Sequence, residues 1–127
     1  MIWLLASLAG SLAAKAQPRQ DIVIDDHWRT SLDSIHWQTV DLPHNWDDYY
    51  GYRRLRHGNL HGSAVYRKTI TVDKRPGRPH FLWFEGVGSY ATVRVNGRYA
   101  GGHAGGRTSF SLDITDALHR GAATNTI

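Results

Sequence analysis

The sequence predicts an all-β chain, an antiparallel jelly-roll β-sandwich, on three observations. Short runs of alternating apolar and polar residues recur at 37–42 (WQTVDL), 65–72 (VYRKTITV), 90–95 (YATVRV) and 110–114 (FSLDI). Turn residues separate these runs, the strongest being Asn96-Gly97, where a type I′ hairpin needs positive φ at both central positions. No amphipathic helical period accompanies them, so strands must cover strands.

The elements follow in order. A first strand begins at Trp28, after Asp25-Asp26, and runs to Leu32. The second, 37–42, stops at Pro43, which has no N–H to give a ladder. Residues 43–63 (PHNWDDYYGYRRLRHGNLHGS) show no period and read as one long loop; loops of that length in small domains commonly carry function or an interface. The next strand, 65–72, places Tyr66, Ile70 and Val72 on one face and Arg67, Thr69 and Thr71 on the other. KRPGRP at 74–79 is a turn cluster. HFLWF at 80–84 is almost continuously apolar, which predicts a strand buried on both faces. Along 90–95, Ala91, Val93 and Val95 should face inward, with 98–101 returning after the turn. A glycine-rich loop follows at 101–107, and then Phe110, Leu112 and Ile114 alternate inward. Thr115 or Asp116 should cap a single turn through Leu118. Residues 121–127 (GAATNTI) read as a strand cut short, which predicts a sandwich lacking its final strand and left with a raw edge.

The first sixteen residues are a different material. Residues 1–14 carry no charged side chain and are rich in Leu and Ala, and Ala14-Lys15-Ala16 offers small residues where a signal peptidase reads. A cleaved signal peptide at 1–16 is expected, with the domain at 17–127 and a periplasmic or secreted location. The apolar stretch is shorter than the roughly 20 residues a spanning helix needs, so no membrane attachment is expected once the leader is removed. The chain has no cysteine, which excludes structural disulfides and a lipoprotein anchor. Its net charge is +4, mild and scattered, whereas nucleic-acid binding needs a concentrated basic face.

The residues offer little catalytic chemistry. Acid–base or nucleophilic work by carboxyl groups needs two of them facing one bond. Glu85 is the one glutamate, at the end of the HFLWF run, and reads as a carboxylate tying a turn or pairing with an Arg. Asp47-Asp48 reads as a solvated turn. His57 and His61 lie four apart, but Gly58-Asn59 between them argues against the helix a metal pair would need, so no metal is expected. His44 reads as a hydrogen-bonded structural histidine, and Trp28, Trp37 and Trp83 as core anchors. In the loop at 101–107, Gly102, Gly105 and Gly106 permit close backbone approach, and His103 and Arg107 are the polar heads it could present. Trp46, Tyr49, Tyr50 and Tyr52 cluster in the long loop, as stacking surfaces for a sugar or for a neighbouring domain.

WQTVDLPHNWDD, AVYRKTITV, FLWFEGVGSYATVRVNGRYAGGHAGG and FSLDIT, in this order and spacing, resemble the N-terminal sugar-binding domain of glycoside hydrolase family 2. The resemblance covers residues 28–127, and the loop at 49–68 is most similar to members of β-galactosidase type. It implies a galactose-binding-domain-like jelly roll that precedes an immunoglobulin-like domain and a TIM barrel, with both catalytic glutamates on the barrel. It therefore implies a non-catalytic scaffold or sugar-binding domain with no cofactor, cut off from a parent that hydrolyses O-glycosyl bonds. A free-standing carbohydrate-binding module or an inactive gene fragment are the alternatives. By the same resemblance a galactoside-like carbohydrate would meet Asn59, His103 and Arg107, while Trp46 would meet it by aromatic stacking from the long loop. The sequence departs from β-galactosidases that carry an acidic residue in the glycine-rich loop, and it has Arg107 where many relatives have an aromatic after the double glycine.

Overall fold

In a computed structural model of the chain, residues 18–46 and 62–127 are described. They form nine strands and one short 3₁₀ turn, all strand pairs antiparallel. β1 (Trp28–Ser31) lies between β2 (Gln38–Val40) and β3 (Val65–Arg67). β4 (Thr69–Lys74) pairs with β9 (Gly121–Thr126), β5 (Phe81–Phe84) with β8 (Phe110–Asp113), and β6 (Tyr90–Val95) with β7 (Arg98–Ala104). This is the all-β antiparallel sandwich expected from the alternating runs.

The core sits between the inner faces of these ladders. Leu82, Val93, Val95, Ile114 and Leu118 are buried together, with Val72, Phe84, Ala100, Leu112 and Ile127 packed around them. Ala91, Val93 and Val95 point inward because side chains alternate along β6, and Val95 has no exposed surface at all. The hairpin turn is the expected one: Asn96 and Gly97 have φ of 51° and 79°. One residue beyond the turn the ladder slips. Val93 pairs with Gly101 while Arg94 pairs with Tyr99, so Ala100 is an extra residue, a β-bulge whose side chain turns to the core.

The turn is tied to the last strand. Asn96 donates from its backbone N–H to the Thr126 carbonyl at 2.8 Å, and its side-chain oxygen accepts from the Thr126 N–H at 3.0 Å. Its amide nitrogen donates to the Ala117 carbonyl (2.9 Å) and to Oδ1 of the buried Asn125 (2.8 Å). Asn125 Oδ1 also accepts from His119 N–H at 2.8 Å, and its Nδ2 donates to the Ala123 carbonyl at 2.9 Å. Buried amides in a sandwich persist when their donors and acceptors are matched in this way.

Several elements differ from the sequence expectation. Residues 121–126, read as the entry to a strand, form a full six-residue strand that pairs with β4 over its whole length. The single run at 65–72 is two strands: Lys68 leaves the β1 partnership and exchanges both backbone hydrogen bonds with Ile127, at 3.0 and 2.9 Å. The glycine-rich segment is strand as far as Ala104, paired with Tyr90–Val93 positions of β6. The run at 80–84 is not buried on both faces. Leu82 is buried, but Phe81 and Trp83 are 58% and 64% exposed, because an antiparallel ladder needs only one covered face and among the described residues nothing lies over the other. Trp28 is buried as expected, whereas Trp83 is no core anchor. The 3₁₀ turn Thr115–Ala117 is held by the preceding residue pair: Asp113 Oδ1 accepts the Thr115 N–H at 2.9 Å.

Exposed carboxylates clasp the edges of the β1–β2–β3 sheet. Asp26 takes a hydrogen bond from His27 Nδ1 at 2.9 Å, and Lys68 Nζ reaches both the Asp26 carbonyl and, at 3.0 Å, its carboxylate. His27, then Lys68, hold the Asp26 carboxyl down to a pKa of about 2, from 3.8. Asp33 is pushed well below the usual range by the His36 side chain and by the His36 and Ile35 N–H groups. A carboxylate with a depressed folded-state pKa stabilises the fold above its unfolded pKa and loses that contribution as pH falls through the folded value. Thermal stability is therefore expected to fall on acidification from about pH 4 to about pH 2. Asp26→Asn should flatten that decline, which melting curves across the range would show; an unchanged slope would remove Asp26 as a cause.

Candidate functional site

Of the four residues proposed to meet a sugar, His103, Arg107 and Trp46 lie among the described residues and Asn59 lies outside them. Outside them also lie Asp47, Asp48, Tyr49, Tyr50, Tyr52, His57, His61 and residues 1–16, where a leader is expected.

His103 sits on β7 opposite Ala91, with its ring turned inward. It stacks on Phe110 at 4.3 Å, and Phe110 stacks on Phe84 at 4.6 Å, both pairs within 12° of parallel. Its Nε2 is joined to Thr108 Oγ1 at 2.8 Å, so one ring nitrogen is held and the ring plane is fixed. The segment is glycine-rich for steric reasons. A Cβ on Gly102 would lie 2.8 Å from the Ala91 carbonyl oxygen, and one on Gly106 would lie 3.0 Å from Gly88 Cα. The Gly105 N–H donates to the Ser89 carbonyl at 2.8 Å, which fastens this loop to the turn at 85–89. Arg107 stands exposed at the tip of that loop. His103 is thus held on β7, and Arg107 is presented by the loop that follows it.

Trp46 belongs to a different cluster. Its indole N–H donates to Thr30 Oγ1 at 3.1 Å, and its ring meets His44 edge-on at 5.6 Å. His44 Nδ1 is 2.8 Å from the Tyr66 hydroxyl, which also hydrogen-bonds Thr30. Burial pushes the Tyr66 phenol above its usual range, and the Thr30 hydroxyl opposes that shift. His44 is accordingly the structural histidine that the LPHNW turn predicts. Trp46 is half-buried on the same chain of hydrogen bonds, with its polar edge used by β1.

Glu85 is exposed at the end of β5 and makes no hydrogen bond or ion pair among the described residues, so it ties no turn. No group of three His, Asp or Glu side chains among the described residues could hold a metal. No helix among them is long and apolar enough to cross a membrane. One feature was not read from the sequence. On the outer face of the first sheet Arg29 stands directly opposite Arg67, and both guanidiniums lie over the ring of Trp37, at 5.6 and 4.9 Å. The alternation along 65–72 sets Arg67 on the face away from Tyr66. Its meeting with Arg29 depends on a register between distant strands.

The sequence model described as glycosyl hydrolases family 2, sugar binding domain, matches residues 5–127. The chain belongs to that family. Among its relatives, a putative β-glucuronidase of Formosa agariphila is 34% identical over 98 residues, which cover 72% of this chain and 11% of the relative. A β-galactosidase of Thermoanaerobacter pseudethanolicus is 32% identical over 105 residues, covering 82% of this chain and 14% of the relative. Among solved structures, a putative β-galactosidase from Bacteroides fragilis superposes with a TM-score of 0.71 at 31% identity, covering 83% of this chain and 18% of that one. The chain therefore spans less than a fifth of the length of these family 2 relatives. The family 2 pattern explains the order of the elements, and the VNG turn, the FEGV corner and the G-H-x-G-G segment are the hairpin, strand end and β7 described above.

Proposed function

We propose that this chain is the non-catalytic sugar-binding and supporting domain of an exported family 2 glycosidase of β-galactosidase type. Family membership, with galactosidases and glucuronidases among the relatives, supports the glycosidase reading. The observation that carries the non-catalytic part is the carboxyl inventory. Hydrolysis by either stereochemical course needs two facing carboxyl groups, and the one glutamate stands exposed at a strand end, with no hydrogen bond or ion pair among the described residues. The carboxylates would come from an immunoglobulin-like and TIM-barrel portion of the parent, to which the 101–107 segment offers His103 and Arg107, with Asn59 and Trp46 as the other sugar contacts. The leader at 1–16 would send the protein to the periplasm or outside the cell.

The purified chain is expected to show no turnover of nitrophenyl β-galactoside or β-glucuronide above buffer. Turnover that Glu85→Gln abolishes would overturn the reading, since it would place a working carboxyl group on this domain.

A further inference from the structure

The face formed by Arg29, Trp37 and Arg67 is built in a way that solvent exposure alone does not explain. β1 and β3 are antiparallel, and the register sets Arg29 against Arg67 as a direct cross-strand pair. Like charges in that position repel and destabilise the sheet. Among the described residues no carboxylate forms an ion pair with either arginine, and neither guanidinium makes a hydrogen bond. Arg19 and Arg75, also exposed, each have an aspartate.

What the two arginines share is an indole. Both lie over Trp37, whose π-face attracts cations and offsets part of their repulsion. Trp37 is itself fixed and half-buried: its N–H donates to the Ser34 carbonyl at 3.1 Å, in the tight segment before β2. Ser34 is held at a φ of 61° by a hydrogen bond from its N–H to Ser31 Oγ, at 2.9 Å. The aromatic plane is thus in place before anything binds. Two guanidinium forks without acceptors among the described residues, beside an anchored aromatic ring, form a donor set for a planar or tetrahedral oxyanion carried on a sugar. Arg forks hold carboxylate and sulfate-like groups with paired, charge-assisted hydrogen bonds. An indole accepts the C–H face of a pyranose through burial of apolar area.

We propose that Arg29, Trp37 and Arg67 form a subsite for an acidic saccharide, one bearing a uronate carboxylate or a sulfate ester. The subsite uses none of the residues assigned to the sugar contacts above. Its saccharide half rests on the sugar-binding reading, and its oxyanion half stands on these three residues alone. An anionic ligand bound to both arginines also offsets the repulsion between them, so binding should stabilise the first sheet.

The test is calorimetric titration of the full chain with three disaccharides: one carrying a uronate, one carrying a sulfate ester and one neutral. At least one charged ligand should bind about tenfold or more tightly than the neutral one, the difference expected from one charge-assisted hydrogen bond. The two charged arms tell carboxylate from sulfate. Arg29→Gln with Arg67→Gln should remove that preference. Arg29→Lys with Arg67→Lys keeps both charges but not the forks, and should also lose most of it. Equal affinity for charged and neutral ligands, no binding of either charged ligand, or binding unchanged in the Gln variant would each overturn the proposal. The nitrophenyl assay does not read this face, so failure here and failure of the non-catalytic reading are separate results.

Discussion

Asn125→Ala is expected to lower unfolding free energy by about 2–4 kcal/mol, the scale of leaving several buried polar groups unmatched. The side chain is 1% exposed and serves three partners at once. Without its Oδ1, the His119 N–H loses its acceptor, and Asn96 Nδ2 keeps only the Ala117 carbonyl. A cavity adds to the loss, since the methyl of alanine does not fill the space. Urea denaturation would read this as a lower midpoint with an unchanged slope. The pair Asn96→Ala and Asn125→Ala should be less than additive, because the same hydrogen bond is removed by either. Full additivity would show that the two amides act independently and that the turn is not fastened through Asn125.

Trp28→Ala is expected to cost about 3–5 kcal/mol, the range for truncating a buried large aromatic. The ring is 5% exposed at the start of β1, and its indole N–H donates to the Ile24 carbonyl at 2.6 Å, which fixes how the chain enters the strand. Trp28→Phe separates the two contributions. It retains much of the buried area and loses the hydrogen bond, leaving the Ile24 carbonyl without that donor, so it should fall short of the alanine variant by a wide margin. Equal losses from Phe and Ala would assign the whole effect to the hydrogen bond.

The parts of the fold legible in the sequence are those decided by neighbours in the chain. Asn96-Gly97 specifies its own turn because Asn and Gly tolerate positive φ, and the alternation of 90–95 assigns Val93 and Val95 inward without knowing what they meet. The parts that were not legible depend on remote partners. Nothing in VYRKTITV marks Lys68 as the point where the strand changes partners, because that change is made by Ile127. Gly101–Ala104 reads as loop because glycine has poor strand propensity; the structure needs a residue without Cβ there, since the Ala91 carbonyl occupies the place a side chain would take at Gly102. HFLWF shows hydrophobicity but not which faces find cover.

The candidate site divides in the same way. His103 was legible as a polar head in a glycine-rich stretch. Its stacking on Phe110 was not, since that contact joins β7 to β8 across the inner faces. His44 was legible from its turn, and the hydroxyl of Tyr66 that holds it was not. Arg67 was readable as facing away from Tyr66, but only the register of β1 against β3 sets it against Arg29.

The pairing of β4 with β9 has a bearing on biosynthesis. β4 is made early, yet its hydrogen-bonding edge stays vacant until the segment ending at Ile127 has left the ribosome. Long-range closure of this kind is slow relative to hairpin formation, so the β6–β7 hairpin should form first and wait. Through that interval the nascent domain offers an open strand to any other chain nearby, and a chaperone that shields Thr69–Lys74 would raise the yield of native protein more than one acting on the finished fold.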